Sequence, residues 1–249
     1  LVVPATIDLS KPAPIDFAFH GMDEDNKDHY AAISGLPELA AEHKFILVFP
    51  AAAVQTVQGQ AVKAWAFTPE QAAADLQFFD DLLAKLRTQY RVDPDAIYIT
   101  GMSNGAYFAH LVGRERAEII AAVAAHSGEL GDIDLGNIVT ARPFPVMIIH
   151  GDADPVFDVS NARRARAIYE GAGHPVTYVE IPGWPHEWDK RQDEAIWDFF
   201  SAHRLHPTKP AQTDSPAATA PAAAIAPKAA ASTSNPATKS PPTGTLPAH

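Results

Sequence analysis

Six short apolar runs recur along the chain: IDFAF (15–19), FILVF (45–49), AIYIT (96–100), IAAVAA (120–125), PVMII (145–149) and VTYVEI (176–181). Most are continuous rather than alternating. A strand with one wet face alternates apolar and polar residues, whereas a strand of a parallel sheet is covered on both faces and does not need to. The runs therefore predict a mostly parallel sheet clothed by helices. The segments between them supply the helices. Leu76, Phe79, Leu83, Leu86 and Tyr90 are alternately three and four apart, which predicts a helix over about 70–90. TPEQ opens it, with Thr68 as N-cap, Pro69 at the first helical position and Gln71 completing a capping box. SNARRARAIYEGAG after Val159 reads as a second helix ending at glycines, and 188–203 as a third with Ile196, Phe199, Phe200 and His203 on one face. Strand and helix in alternation predict a doubly wound α/β domain.

Composition divides the chain. From His206 onward it is Ala, Pro, Ser and Thr with no aromatic residue, which cannot bury enough surface to offset the entropy of ordering. The expectation is one folded domain over 1–205 and a disordered tail over 206–249. The net charge is −11, and the tail is slightly basic, so the body is more acidic still. That argues against a nucleic-acid surface, whose footprint is basic. With no cysteine, disulfides, thiolate metal sites and a Cys nucleophile are excluded. No apolar run reaches membrane-spanning length. The chain starts at Leu1 rather than Met, so removal of a signal peptide is expected, and with it a secreted or cell-surface protein; a cytoplasmic one is the alternative.

In open parallel sheets ligands gather at the carboxyl ends of the strands. The first run is followed by HGMDEDN, the third by GMSNG, the fourth by HSGEL, the fifth by HGDADPVFD and the sixth by PGWPHEWD. Ser103, Asp154 and His186 thus all follow strands. A serine hydroxyl is a weak nucleophile that needs a base within hydrogen-bond reach, and a histidine can take its proton and return it to a leaving group. A carboxylate then holds the imidazole in the required tautomer. Gly101 and Gly105 flank Ser103 because a sharp strand-to-helix turn leaves no room for side chains on either side. NGAYFAHLVGR, which follows, reads as the helix that this turn opens.

VDPDAIYITGMSNGAYFAHLV, MIIHGDADPVF and GWPHEW, with FHGM upstream, resemble α/β-hydrolase serine esterases of the polyhydroxybutyrate depolymerase and feruloyl esterase group over roughly residues 15–203. The resemblance implies Ser103 as nucleophile, Asp154 as the acid and His186 as the base. It also implies backbone N–H groups of Met22 and Asn104 as oxyanion donors. An acyl-serine cleaved by water needs no cofactor, and only about 20 residues separate the fourth and fifth runs, where many α/β-hydrolases insert a cap, so no large cap domain is expected. Met22 and Ala106 stand where many members carry Cys and Gly, which leaves subfamily and substrate open. The region before Ile15 is also short for the antiparallel strands that usually open this fold, so a trimmed sheet is expected.

Other residues compete for these roles. Asp152 is the rival acid, although its position also suits capping of the loop, and Asp158 suits a helix entry. His20, His126 and His150 end strands but suit hydrogen bonds to neighbouring loops, while His110 suits packing on the elbow helix. Ser127 lacks the glycine of an elbow. No clustered ligand spacing points to a metal. Trp65, Tyr107, Trp184 and Trp188 are candidates to line an aromatic-tolerant cleft, with 51–67 as one wall; ordinary burial is the alternative for each. The expected activity is hydrolysis of polymer-linked or aryl esters: feruloyl or acetyl polysaccharide esters, or a polyester. The alternatives are a peptidase or thioesterase on the same fold, or a non-catalytic binding module.

Overall fold

All six apolar runs are strands of one sheet. In the structure, a computed structural model, residues 1–22, 26–57, 59–66, 69–131 and 140–206 are described. The Thr68 cap and the expected tail beyond His206 lie outside the described residues. In chain order the strands are β1 (Ala13–Phe19), β2 (Ile46–Val48), β3 (Val54–Val57), β4 (Gln60–Lys63), β5 (Val92–Met102), β6 (Ala122–His126), β7 (Val146–Gly151) and β8 (Val176–Ile181). The helices are α1 (Asn26–Ile33), α2 (Leu36–His43), α3 (Pro69–Gln89), α4 (Asn104–Glu115), α5 (Val159–Gly171) and α6 (Asp193–Ala202).

Six strands form the main sheet in the order β2-β1-β5-β6-β7-β8, and every pairing in it is parallel. The usual antiparallel opening is reduced to one bridge, Val2 to Leu47. β3 and β4 pair with each other as an antiparallel hairpin, which the apolar runs did not foretell.

Two cores cover the two faces, because successive strand residues point to opposite sides. Ile97 and Ile99 of β5 join Phe17, Phe79, Phe108 and Tyr169 on one side. Tyr98 of the same strand joins Leu36, Phe45, Ile196 and Phe200 on the other. From β1 the chain runs outward to β2, then crosses back to β5 on the other side of β1. The loops leaving β1 and β5 therefore diverge around a crevice, where a doubly wound sheet collects its ligands.

The last helix begins later than its periodicity suggests. Trp188 lies outside it, held by a hydrogen bond from its indole N–H to Asp193 at 2.8 Å. Asp189 caps a 3-10 turn at 190–192, and α6 proper starts at Asp193 with two acidic residues in its first turn. No described helix is long and apolar enough to cross a membrane.

Candidate active site

Ser103 sits at the turn between β5 and α4 with φ 56° and ψ −123°, a backbone conformation that L-residues rarely adopt. The surroundings hold it there. Its N–H donates to His126 C=O at 3.0 Å, and its own C=O accepts from the N–H groups of Ala106 and Tyr107. The flanking glycines are steric necessities. A Cβ on Gly101 would lie 2.2 Å from Gly105 O, and one on Gly105 would lie 2.0 Å from Phe19 O. The first turn of α4 can therefore press against the ends of β5 and β1 only while both positions lack side chains.

His186, in the loop after β8, reaches back over this turn. Its Nε2 is 2.9 Å from Ser103 Oγ and its Nδ1 is 2.7 Å from Asp154 Oδ2. The Asp154 side chain has no exposed surface, and its Oδ1 accepts from the N–H groups of Val156 and Phe157 at 2.8 and 2.9 Å. Burial raises the Asp154 carboxyl, but the bonds from His186 and from the two backbone N–H groups outweigh it and hold the acid below its ordinary value. A carboxylate facing Nδ1 keeps the proton on that nitrogen, and Nε2 is left as an acceptor for the Ser103 hydroxyl. The arrangement can thus draw a proton from the serine and store the resulting positive charge.

The rival residues have other partners. Asp152 accepts from Gly183 N–H at 2.5 Å and closes the loop before His186, while Asp158 caps α5 through Ser160 N–H. His20 accepts from Ala52 N–H, and His126 accepts from Asp189 N–H. His150 donates to Phe157 C=O and also lies 3.4 Å from Asp154 Oδ2, beside the triad, while His110 meets Tyr169 at 3.0 Å. Ser127 is fully buried, with its hydroxyl 2.9 Å from His126 Nδ1. Among the described residues one group, Glu42, His43 and Glu194, could gather a cation. It reads as a surface hydrogen-bonded contact, with His43 Nε2 3.0 Å from Glu194 and its ring stacked on Trp197.

A pocket of about 420 Å³ opens beside Ser103, between the loop after β1, helix α1 and the His186 loop. Tyr30, Ile33, Met102 and Trp188 line its apolar side, and Gly21 and Met22 bring the end of β1 to its edge. Of the four aromatic candidates only Trp188 is in this lining. Trp65 needs correction: it is fully buried, its indole N–H bonded to His20 C=O and its ring flat on Phe108, so it is not a cleft wall. Tyr107 on α4 faces Gly131, whose added Cβ would lie 2.0 Å from its ring. Trp184 is half-buried beneath the Arg191 guanidinium, 4.4 Å from its ring centre. Tyr30 and Ile33 escaped sequence reasoning; their three-residue spacing is the one signal that α1 offered.

Known proteins bear the same arrangement of elements. The chain is 30% identical over 136 residues to feruloyl esterase B of Piromyces equi, a match covering 53% of this chain and 25% of that one. It is 26% identical over 156 residues to a bifunctional acetylxylan esterase/xylanase of Neocallimastix patriciarum, covering 63% and 21%. The chain thus spans a quarter or less of the length of these two curated relatives. A ferulic acid esterase from Anaeromyces mucronatus, solved with ferulic acid, superimposes with a TM-score of 0.64 at 17% identity, over 81% of this chain and 82% of that one. The fold is that of the α/β-hydrolases, and with the family pattern matching residues 1–167, the chain belongs to the esterase PHB depolymerase family.

Proposed function

We propose that this chain is a serine carboxylic-ester hydrolase working through an acyl-enzyme. The observation that carries the proposal is the hydrogen-bonded line from Ser103 Oγ through His186 to Asp154, 2.9 and 2.7 Å long, on a strained strand-to-helix turn. Ser103 Oγ attacks the ester carbonyl as its proton passes to His186 Nε2, and Asp154 stabilises the imidazolium. The carbonyl oxygen becomes an oxyanion that accepts from the backbone N–H groups of Met22 and Asn104. Asn104 is the first residue of α4, so its N–H has no acceptor within the helix. Collapse of the tetrahedral species expels the alcohol, which takes the proton from His186. Water then repeats the sequence on the acyl-serine and frees the acid. Each step balances without a cofactor.

The substrate class in this reading is an ester with a bulky or aryl group, carried on a polysaccharide or polymer. The pocket beside Ser103, apolar on its Tyr30, Ile33, Met102 and Trp188 side, supports it, as do relatives named for feruloyl and acetylxylan esters. Export from the cell belongs to the same proposal, and fractionating a producing culture into cells and medium tests it. The primary experiment is hydrolysis of p-nitrophenyl acetate and butyrate by the chain beside its Ser103→Ala variant. Turnover by the first and none by the second is the expected result; equal behaviour removes Ser103 from the chemistry.

A further inference from the structure

We propose that Trp65 is a positioning residue that ties together, from behind, the two chain segments carrying the oxyanion-stabilising N–H groups. The inference rests on the reading of Met22 and Asn104 given above. Trp65 follows the β3–β4 hairpin, whose base is closed by Ala64 N–H donating to Ala53 C=O. It makes three buried hydrogen bonds. Its backbone N–H donates to Asn104 Oδ1 at 2.7 Å, its C=O accepts from Asn104 Nδ2 at 3.3 Å, and its indole N–H donates to His20 C=O at 3.0 Å. One residue therefore grips both the start of α4 and the end of β1. Its ring cannot turn away, being stacked flat on Phe108 at 4.8 Å and set edge-on to Phe19 at 4.9 Å.

The β1 arm carries the restraint onward to Met22. His20 Nε2 accepts from Ala52 N–H at 3.0 Å, so the ring proton lies on Nδ1, which donates to Gly21 C=O at 2.6 Å. In a trans peptide the C=O and N–H point to opposite sides. Anchoring Gly21 C=O toward His20 thus turns the Met22 N–H the other way. Burial holds the His20 imidazole below its ordinary value, which keeps it neutral with one donor and one acceptor. Trp65 fixes the His20 carbonyl, His20 fixes the next peptide, and Trp65 also clamps Asn104. The spacing between the two donors is set by a side chain that touches no substrate.

Donors aimed at developing charge act in the transition state, so loosening them should lower kcat and spare ground-state binding. The experiment compares the wild-type chain with Trp65→Phe and with a chain carrying 3-benzothienylalanine at 65, which replaces the indole N–H by sulfur and keeps ring size and stacking. Kinetics on p-nitrophenyl acetate are measured with the Ki of a trifluoromethyl ketone, whose hemiketal presents the oxyanion. Expected are a fall in kcat of about tenfold, less than losing one donor outright, with KM within about twofold and Ki weakened in step with kcat/KM. Unchanged kcat and Ki in the isosteric protein overturn the inference while the esterase reading stands, even if Trp65→Phe fails to fold. A wild-type chain that neither cleaves the ester nor binds the ketone removes the esterase reading, and this inference with it.

Discussion

His186 Nδ1 lies 2.7 Å from Asp154 Oδ2, while the other oxygen of that carboxylate is held by the N–H groups of Val156 and Phe157. The two backbone donors decide what an amide would do at this position. In Asp154→Asn the side-chain oxygen stays with them, so the NH₂ group faces His186 Nδ1. The imidazole must then accept at Nδ1 and carry its proton on Nε2, where it can no longer receive the proton of Ser103. A fall in kcat of about a thousand- to ten-thousandfold is expected, with a small change in KM and an unaltered circular-dichroism spectrum. The acid is held below its ordinary value of 3.8, so its contribution to stability is present above about pH 4 and is lost on further acidification. A variant that keeps wild-type kcat would show that the proton of Ser103 leaves by another route.

Gly105 makes a different kind of demand. Both atoms nearest an added Cβ, Phe19 O and His20 O at 2.0 and 2.4 Å, are backbone, so no rotamer change relieves the clash. Gly105→Ala must push α4 away from β1, and that movement also pulls at the Trp65 bonds to Asn104 and His20. A loss of stability at the upper end of about 1–3 kcal/mol is expected, accompanied by lost activity, from urea unfolding and ester hydrolysis on one preparation. Wild-type stability would mean that the helix has slack where the contacts show none.

Six parallel strands are legible because burial leaves most of each run apolar, despite Asp16 in β1 and Thr177 and Glu180 in the partly exposed β8. The order of Ser103, Asp154 and His186 is legible because the strand ends can be counted. The helices α1 and α2 are not, since each is eight residues long and spans little more than two turns. α2 also carries a proline in its first turn. The β3–β4 hairpin hid in VQTV and QAVK, where short alternation resembles any polar loop. Trp65 misled for a physical reason: a tryptophan with a satisfied N–H is at home in a core or at a cleft, and composition does not distinguish the two. Its acceptor, His20 C=O, lies 45 residues away in sequence.

With Trp65 buried behind the site, the proposed esterase reading assigns acyl selectivity to the pocket wall that α1 supplies. Ile33 lines that pocket and is only half-buried, so a larger side chain there fills empty space before it meets the core. Ile33→Trp is expected to raise KM for p-nitrophenyl butyrate and for an aryl-acyl ester by about tenfold relative to acetate, the lower end of what one methylene-sized contact in an apolar pocket is worth. Equal effects on all three esters would put the acyl group elsewhere and leave this pocket to the alcohol.

Asp16 lies in the middle of β1, with its carboxylate reached by the Thr100 hydroxyl of β5 at 2.8 and 2.9 Å. Burial pushes its carboxyl up to about 7 against the downward pull of the Thr100 bonds. The folded chain therefore holds a proton here that the unfolded chain releases from its ordinary value of 3.8 upward. Between those limits the folded state binds more protons, so this group's contribution to stability falls as pH rises from about 4 to 7 and is level beyond. The full effect is on the order of 4 kcal/mol, from about three pKa units at 1.36 kcal/mol each. Asn is nearly isosteric with the neutral acid and does not ionise. Asp16→Asn should accordingly exceed the wild type in urea unfolding by a far larger margin at pH 8 than at pH 4.5. The difference between the two proteins cancels the other titrating groups, which both share. If that difference is the same at both pH values, Asp16 does not change its charge on folding, and burial in β1 leaves it as ionised as it is in water.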